Sequence, residues 1–247
     1  MVIQRLRQSL FMDKDEREIR KMERRIARLG QGRRGLVDGP ILTATARALN
    51  TSVGKYAGRL VSHGLRNRSN RIFGYIAPFI GTGDSVLDLG CGDGKVGELV
   101  AVNRKSDVVL MDVVDYNKTS LPLVLYGGTR IDCPDRSFDH VLLLTVLHHS
   151  DDPVAVMEEA LRVAGKSVII IESVYFNGPH KQLNKFFDWF YNRVLNNPEI
   201  NVPFNFLTPT AWIKLFERMG GKVMHMEHLG IDEPTVPEWH TLYVVDK

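Results

Sequence analysis

At 247 residues with 44% hydrophobic content, the chain can bury one sizeable core and need not divide into several domains. No apolar run reaches the ~20 residues of a membrane span and no signal-peptide core is seen, while two cysteines build neither a disulfide framework nor a zinc site with the histidines, so a soluble cytoplasmic protein without structural metal is expected. The net charge of +3 hides an asymmetry: residues 1–71 carry 17 Lys/Arg against 6 Asp/Glu and the remainder 15 against 23, a basic appendage on an acidic body.

The appendage, residues 1–65, reads as helical. Ile3, Leu6, Leu10 and Phe11 share a helical face near Arg5 and Arg7, the pattern of an interfacial anchor at an anionic membrane surface. Met12, Ile19, Met22, Ile26 and Leu29 then recur at helical spacing with Arg20, Lys21, Glu23, Arg24 and Arg25 between them, which predicts one charged amphipathic helix. Three roles stay open for it: docking on the acidic body or a second subunit, peripheral membrane contact, and RNA binding, the last without any recognisable nucleic-acid module. The early acids Asp13, Asp15, Glu16 and Glu18 argue against a mitochondrial transit peptide. Gly30 to Gly35 reads as a linker, and helices are expected over residues 42–65 and 66–79.

The second part, residues 66–247, opens with its most informative run, Ser85-Val-Leu-Asp-Leu-Gly-Cys-Gly-Asp-Gly94, an apolar strand that ends in an acid and turns on glycines into a helical pattern. Gly90 and Gly92, with the small Cys91 between them, let the backbone turn tightly against a ligand. In a dinucleotide fingerprint the third small residue falls at 95, where this chain has Lys95. Asp88 would repel a pyrophosphate but attract the α-ammonium and lie near the sulfonium of S-adenosyl-L-methionine, so the charges favour a cationic cofactor. A second strand, residues 107–112, ends on Asp112, with Val113 beside it, about 20 residues past the turn, where such folds place a carboxylate on the ribose hydroxyls. Asp115 is its competitor.

Strand and helix signals then alternate. Residues 121–126 read as strand three, 138–144 as strand four ending at Thr145, 153–164 as a helix, and 167–173 as a fifth strand apolar enough to be buried on both faces. That order implies a parallel sheet. A helix over 210–219 and strands over 222–229 and 240–245 complete the chain. Between strand five and this tail lies an insertion, residues 175–206, dense in aromatics (Phe186, Phe187, Trp189, Phe190, Tyr191, Phe204, Phe206), which leaves a carboxyl end of the sheet and is expected to roof an acceptor pocket. If those rings line it, the acceptor is apolar or planar. His148 and His149 follow strand four on the cofactor side and are the candidate general bases, about one of the two facing the pocket, with His149 favoured. Glu172 and Tyr175 are second choices, and Cys133 beside Pro134 is set aside as a nucleophile because it precedes strand four.

The stretches Val86 to Gly94, Pro134-Asp-Arg-Ser-Phe-Asp-His-Val141 and Val146-Leu-His-His-Ser-Asp-Asp-Pro153 together resemble the class I S-adenosylmethionine-dependent methyltransferases, closest to the small-molecule group that includes quinone-biosynthesis C-methyltransferases. The resemblance implies an α/β doubly wound, mostly parallel seven-stranded sheet with an antiparallel C-terminal hairpin, a helix at 66–79 covering the cofactor, and cofactor contacts that include Thr145. The acid that such proteins often place near the adenine amine aligns with Gly127, and Asp132 is the expected substitute. A methyltransferase acting on a small-molecule or lipid-like acceptor is expected, the alternatives being an RNA or protein methyltransferase guided by the basic segment and a non-catalytic cofactor-binding module.

Overall fold

The computed structural model describes residues 13–29, 39–50, 67–196, 202–231 and 237–247. The expected anchor face at Ile3 to Phe11, the Gly30 to Gly35 linker and the second half of the 42–65 helix lie outside the described residues.

Seven strands, β1 (Ser85–Leu89), β2 (Asp107–Asp112), β3 (Leu123–Leu125), β4 (Phe138–Leu144), β5 (Ala164–Val174), β6 (Lys222–Ile231) and β7 (Trp239–Asp246), form one sheet in the order β3-β2-β1-β4-β5-β7-β6. The first five are parallel, and β7 lies antiparallel between β5 and β6. The expected doubly wound sheet with an antiparallel C-terminal pair is therefore the fold. Strand alternation divides the core into two layers. Leu87, Leu89, Val141, Leu143, Val168 and Ile170 pack on one face, and Val86, Leu142, Ile169 and Ile171 on the other, all within 1% of complete burial.

The helices are α1 (Lys14–Leu29), α2 (Gly39–Leu49), α3 (Arg68–Ile76), α4 (Lys95–Arg104), α5 (Pro153–Val163), α6 (Gly178–Trp189) and α7 (Pro209–Arg218), of which α2 packs through Ala46 on Trp189 and Val194. Three of them start by one device: Asp152, Asn177 and Thr208 accept a hydrogen bond from the backbone three residues on, and a proline opens the first turn. The helix expected over 66–79 is α3 followed by a short 3-10 turn, Ala77–Phe79.

Helix α1 is built into the body. Ile19 and Met22 join the same apolar cluster as Leu87, Trp212 and Phe216. Its acids make most of the polar seam, and Arg25 adds to it by donating to Pro203 O at 2.7 Å and to Asn205 Oδ1. Asp15 accepts hydrogen bonds from Thr208 at 2.6 Å and Thr210 at 2.7 Å, Lys214 reaches Asp13 at 2.6 Å, Lys181 pairs with Glu18, and Arg218 pairs with Glu16. Arg17, Arg20, Lys21, Arg24 and Arg28 are left exposed, and Lys14, also exposed, stands 6.0 Å from the centroid of the Tyr175 ring. Docking on the acidic body is thus seen with its polarity largely inverted, because most of the long basic side chains keep their charge in water at less cost than burying it.

Candidate active site

The order of the sheet reverses between β1 and β4, and at that switch point the chain leaves both strands at their carboxyl ends. After β1 the backbone turns through Gly90, Gly92 and Gly94 at φ of +74°, +55° and +76° into the N-terminus of α4. A Cβ at residue 90 would lie 2.6 Å from Val146 Cγ2, so only glycine fits there. After β4, Thr145 sits at φ +62°, an uncommon conformation for a β-branched residue, with its hydroxyl donating to Leu144 O at 2.6 Å and accepting from Arg68 Nη2 at 3.0 Å. Between these two turns opens a cavity of about 520 Å³.

One end of the cavity is a cradle for the cofactor. Asp88 is 2% exposed, and its Oδ2 has no hydrogen-bond partner. Burial, with the charges of Asp112 and Asp93 adding to it, raises the Asp88 carboxyl to about 7 against the one bond it accepts from the Gly97 amide. A buried carboxylate short of a counter-charge, beside a glycine turn open to close approach, fits the ammonium and sulfonium of S-adenosyl-L-methionine. Arg68 and Ser69, at the start of α3, face the same space. Burial pushes the Cys91 thiol up to about 12, so it is a small wall residue rather than a nucleophile.

The other end is polar and deeply buried. Glu172, at the end of β5, accepts from the Val146 and Leu147 amides at 3.0 and 2.6 Å through Oε1 and from His148 Nδ1 at 2.6 Å through Oε2. Burial lowers His148 to about 4 and raises Glu172 to about 7. His149 lines the cavity with 36% of its side chain exposed, and desolvation together with His148 holds its pKa well below the usual histidine value. Its Nδ1 stands 3.4 Å from Asp188 Oδ1. Burial, then Glu238, raise the Asp188 carboxyl well above its ordinary range, although Asn192 donates to it at 2.7 Å. Ser173 links this wall to β7, donating to Glu238 at 2.7 Å and meeting His240 Nε2 at 3.2 Å.

Most of the expected site residues meet here. Asp88, Gly90, Cys91, Gly92, Thr145, His148 and His149 all line the cavity, both histidines rather than one. Asp112 stands beside it, accepting from the Gly92 amide at 2.9 Å and from Val113 at 2.7 Å, whereas Asp115 is exposed and closes a turn of its own. Val113 is 56% exposed and lies off the lining. Asp132 is exposed and does not line the cavity, next to the fully buried Ile131. Cys133 packs against the core below the sheet, its carbonyl held by Arg162.

The aromatic roof is a correction. Of the seven rings only Tyr191 lines the cavity. On α6 and the π-helical turn that extends it, Phe190–Asn196, the residues at 184, 188, 191 and 192 share the inward face, so Asp188, Tyr191 and Asn192 roof the pocket. Phe186 and Phe190 stack on each other elsewhere, Trp189 packs with Ala46 and Val194, and Phe206 stacks on His148 from behind at 5.2 Å. The sequence reading missed Arg68, Asp188, Asn192 and Glu238 and gave His240 no role. The polar stripe through the insertion was the available signal for two of these.

Among solved structures, the fold is similar to an S-adenosylmethionine-dependent methyltransferase of Methanosarcina mazei (15% identity, 70% of this chain and 96% of that one, TM-score 0.53) and one of Aquifex aeolicus (15%, 83% and 98%, 0.51). It is also similar to the [4+2]-cyclase SpnF (12%, 72% and 80%, 0.56), and at such identities the likeness concerns the fold alone. No curated protein matches the chain in sequence. The family model described as a methyltransferase domain matches residues 58–226, the span that contains the glycine turn, both histidines and the insertion. The chain belongs to that methyltransferase-domain family, and it is an S-adenosyl-L-methionine-dependent enzyme of methyl transfer.

Proposed function

We propose that the enzyme methylates a small, polar acceptor held between the glycine turn and the His148–Glu172 wall. The observation that carries this reading is the cluster of polar side chains, Asp188, Asn192, Ser173, Glu238 and His240, in the lining of the acceptor end, which favours an acceptor with hydrogen-bonding groups over a lipid tail. The cofactor's sulfonium supplies an activated methyl group, so the protein's work is alignment, exclusion of water and activation of the acceptor.

Asp88 holds the ammonium of the cofactor, Arg68 its carboxylate, and Asp112 its ribose hydroxyls. His148 keeps its Nδ1 proton on Glu172, which leaves the Nε2 lone pair toward the cavity. Its depressed pKa keeps that nitrogen neutral near pH 7, with a lone pair available to activate a hydroxyl or amine. The exposed basic row of α1 supports a second reading, a polyanionic substrate such as RNA, but it lies on the helix's outer face and no residue of α1 lines the cavity.

Methyl-labelled cofactor incubated with the protein and a fractionated cell extract tests this. Label in polar small molecules is expected. Label in lipid would overturn the polar acceptor, label in RNA or protein would make the α1 row a substrate arm, and cofactor binding with no label in any fraction would make the domain a binding module.

A further inference from the structure

Three carboxyl groups, Glu172, Asp188 and Glu238, stand within one buried region at 0%, 3% and 5% exposure, a setting in which a bound cation would offset the cost of keeping them charged. Asp188 Oδ2 is buried with no hydrogen-bond partner. One donor atom each from His148, His149 and Asp188 lies within 4.8 Å of the others. We propose that His148, His149 and Asp188 form a site for a divalent transition-metal ion at the acceptor end of the cavity, in a chain whose family assignment names no metal.

The surroundings of each ligand are those that a metal site needs. Glu172 Oε2, 2.6 Å from His148 Nδ1, fixes that ring's tautomer and orientation and leaves Nε2 as its ligand atom, the arrangement of a carboxylate that steadies a metal-bound histidine from behind. Phe206 stacks on the same ring at 5.2 Å, limiting its rotation. Asn192 donates to Asp188 at 2.7 Å and holds that carboxylate toward the histidines. The 3.4 Å between His149 Nδ1 and Asp188 Oδ1 is already close to the ~3.3 Å edge of a tetrahedron built on metal–ligand bonds of about 2.05 Å. Two imidazoles and one carboxylate suit zinc, cobalt, nickel or ferrous iron better than magnesium or calcium. Three protein ligands leave coordination positions open toward the cavity, where an acceptor oxygen would bind and be held facing the cofactor. The histidines then act on the acceptor through the ion. This rests on the reading of the cavity as the acceptor site. The two histidines are adjacent and Asp188 comes from the insertion after β5, so no spacing motif announces the set.

The test uses the full chain without an affinity tag, stripped with a chelator, then equilibrated with Co²⁺ or Zn²⁺ and dialysed. One ion per chain by elemental analysis is expected, with visible Co²⁺ absorption that is lost in His149→Ala and Asp188→Asn. Glu172→Gln, which removes only the support, should weaken Co²⁺ binding about 10- to 100-fold. Cofactor affinity measured by calorimetry should stay within about threefold in these variants, which shows that they fold. Failure of the wild type to retain an ion while it binds cofactor normally overturns the metal site and leaves the methyltransferase reading intact. Equal Co²⁺ binding in His149→Ala and Asp188→Asn also overturns it, as does tight competition by a simple alkylammonium with no ion bound. Failure of the stripped wild type to bind cofactor at all would instead strike the reading of the cavity itself.

Discussion

Glu172 Oε2 lies 2.6 Å from His148 Nδ1, and neither side chain is more than 3% exposed. The carboxylate decides which nitrogen of the ring carries the proton. Replacing Glu172 with Gln keeps an oxygen for the Val146 and Leu147 amides but presents an N–H to the ring, so the imidazole turns its lone pair toward residue 172 and its proton toward the cavity. Turnover should fall at least about a hundredfold while cofactor affinity stays within about threefold. Steady-state kinetics beside calorimetry checks it; equal loss of both would mean that Glu172 only supports the fold.

Asp88 gives a pH dependence with a definite sign. Burial raises its carboxyl to about 7, so it is protonated below that pH in the free protein, and an ammonium ligand needs it ionised. Cofactor affinity should rise by up to about tenfold per unit between pH 5 and 7, with proton release visible as buffer-dependent heats. A folded pKa above the unfolded one means that Asp88 lowers stability as pH rises from about 4 through about 7, so ligand-free Asp88→Asn should be more stable than wild type at pH 8 by about 1–3 kcal/mol and melt at a higher temperature. A lower melting temperature in that variant would contradict the burial argument.

Gly90→Ala places a methyl group 2.6 Å from Val146 Cγ2 at φ +74°. The strain and the collision together should cost about 1–3 kcal/mol of stability and raise the cofactor Kd at least about a hundredfold, because the turn must open toward the ligand to relieve them. Chemical denaturation and calorimetry on the same sample separate the two effects.

Helix α1 should come off in acid. Burial pushes Glu18 up, but hydrogen bonds from Lys181 and Lys21 outweigh it and hold the carboxyl at about 2. Its contribution to docking is complete above the ordinary value of 4.5 and is lost as pH falls toward about 2. Amide exchange in residues 14–29 should therefore accelerate relative to the sheet over that range. At pH 7, Ile19→Ala should release the same helix by removing about 2–4 kcal/mol of core packing. Unchanged exchange in both experiments would refute the docked position.

The fold and the cofactor end of the site were legible in the sequence because their signals are local. Val86 to Leu89 run directly into the glycine turn, Asp112 follows at the spacing of the next strand end, and His148 and His149 follow β4 within five residues of Leu144. The acceptor end was not legible in this way, since Asp188, Glu238 and His240 reach it from an insertion and from an antiparallel strand, and only the sheet order brings them beside His148. The aromatic residues of the insertion suggested an apolar roof because their abundance is more conspicuous than the polar stripe at 184, 188 and 192 that shares the inward face of α6. The burial of Ile131 and the exposure of Asp132 could not be read beforehand, because an irregular loop gives no period from which to tell which side chain turns inward. In α1 the apolar stripe was visible, but which charges would face the body depended on Lys181, Lys214 and Arg218, distant in sequence.

The most direct test is calorimetric titration of S-adenosyl-L-methionine into the wild-type protein and Asp88→Ala at pH 7.5. Saturable one-to-one binding in the wild type, weakened at least about a hundredfold in the variant, is the predicted result. Equal affinity in the two proteins would contradict the placement of the cofactor at the Asp88 cradle and with it the account of the cavity.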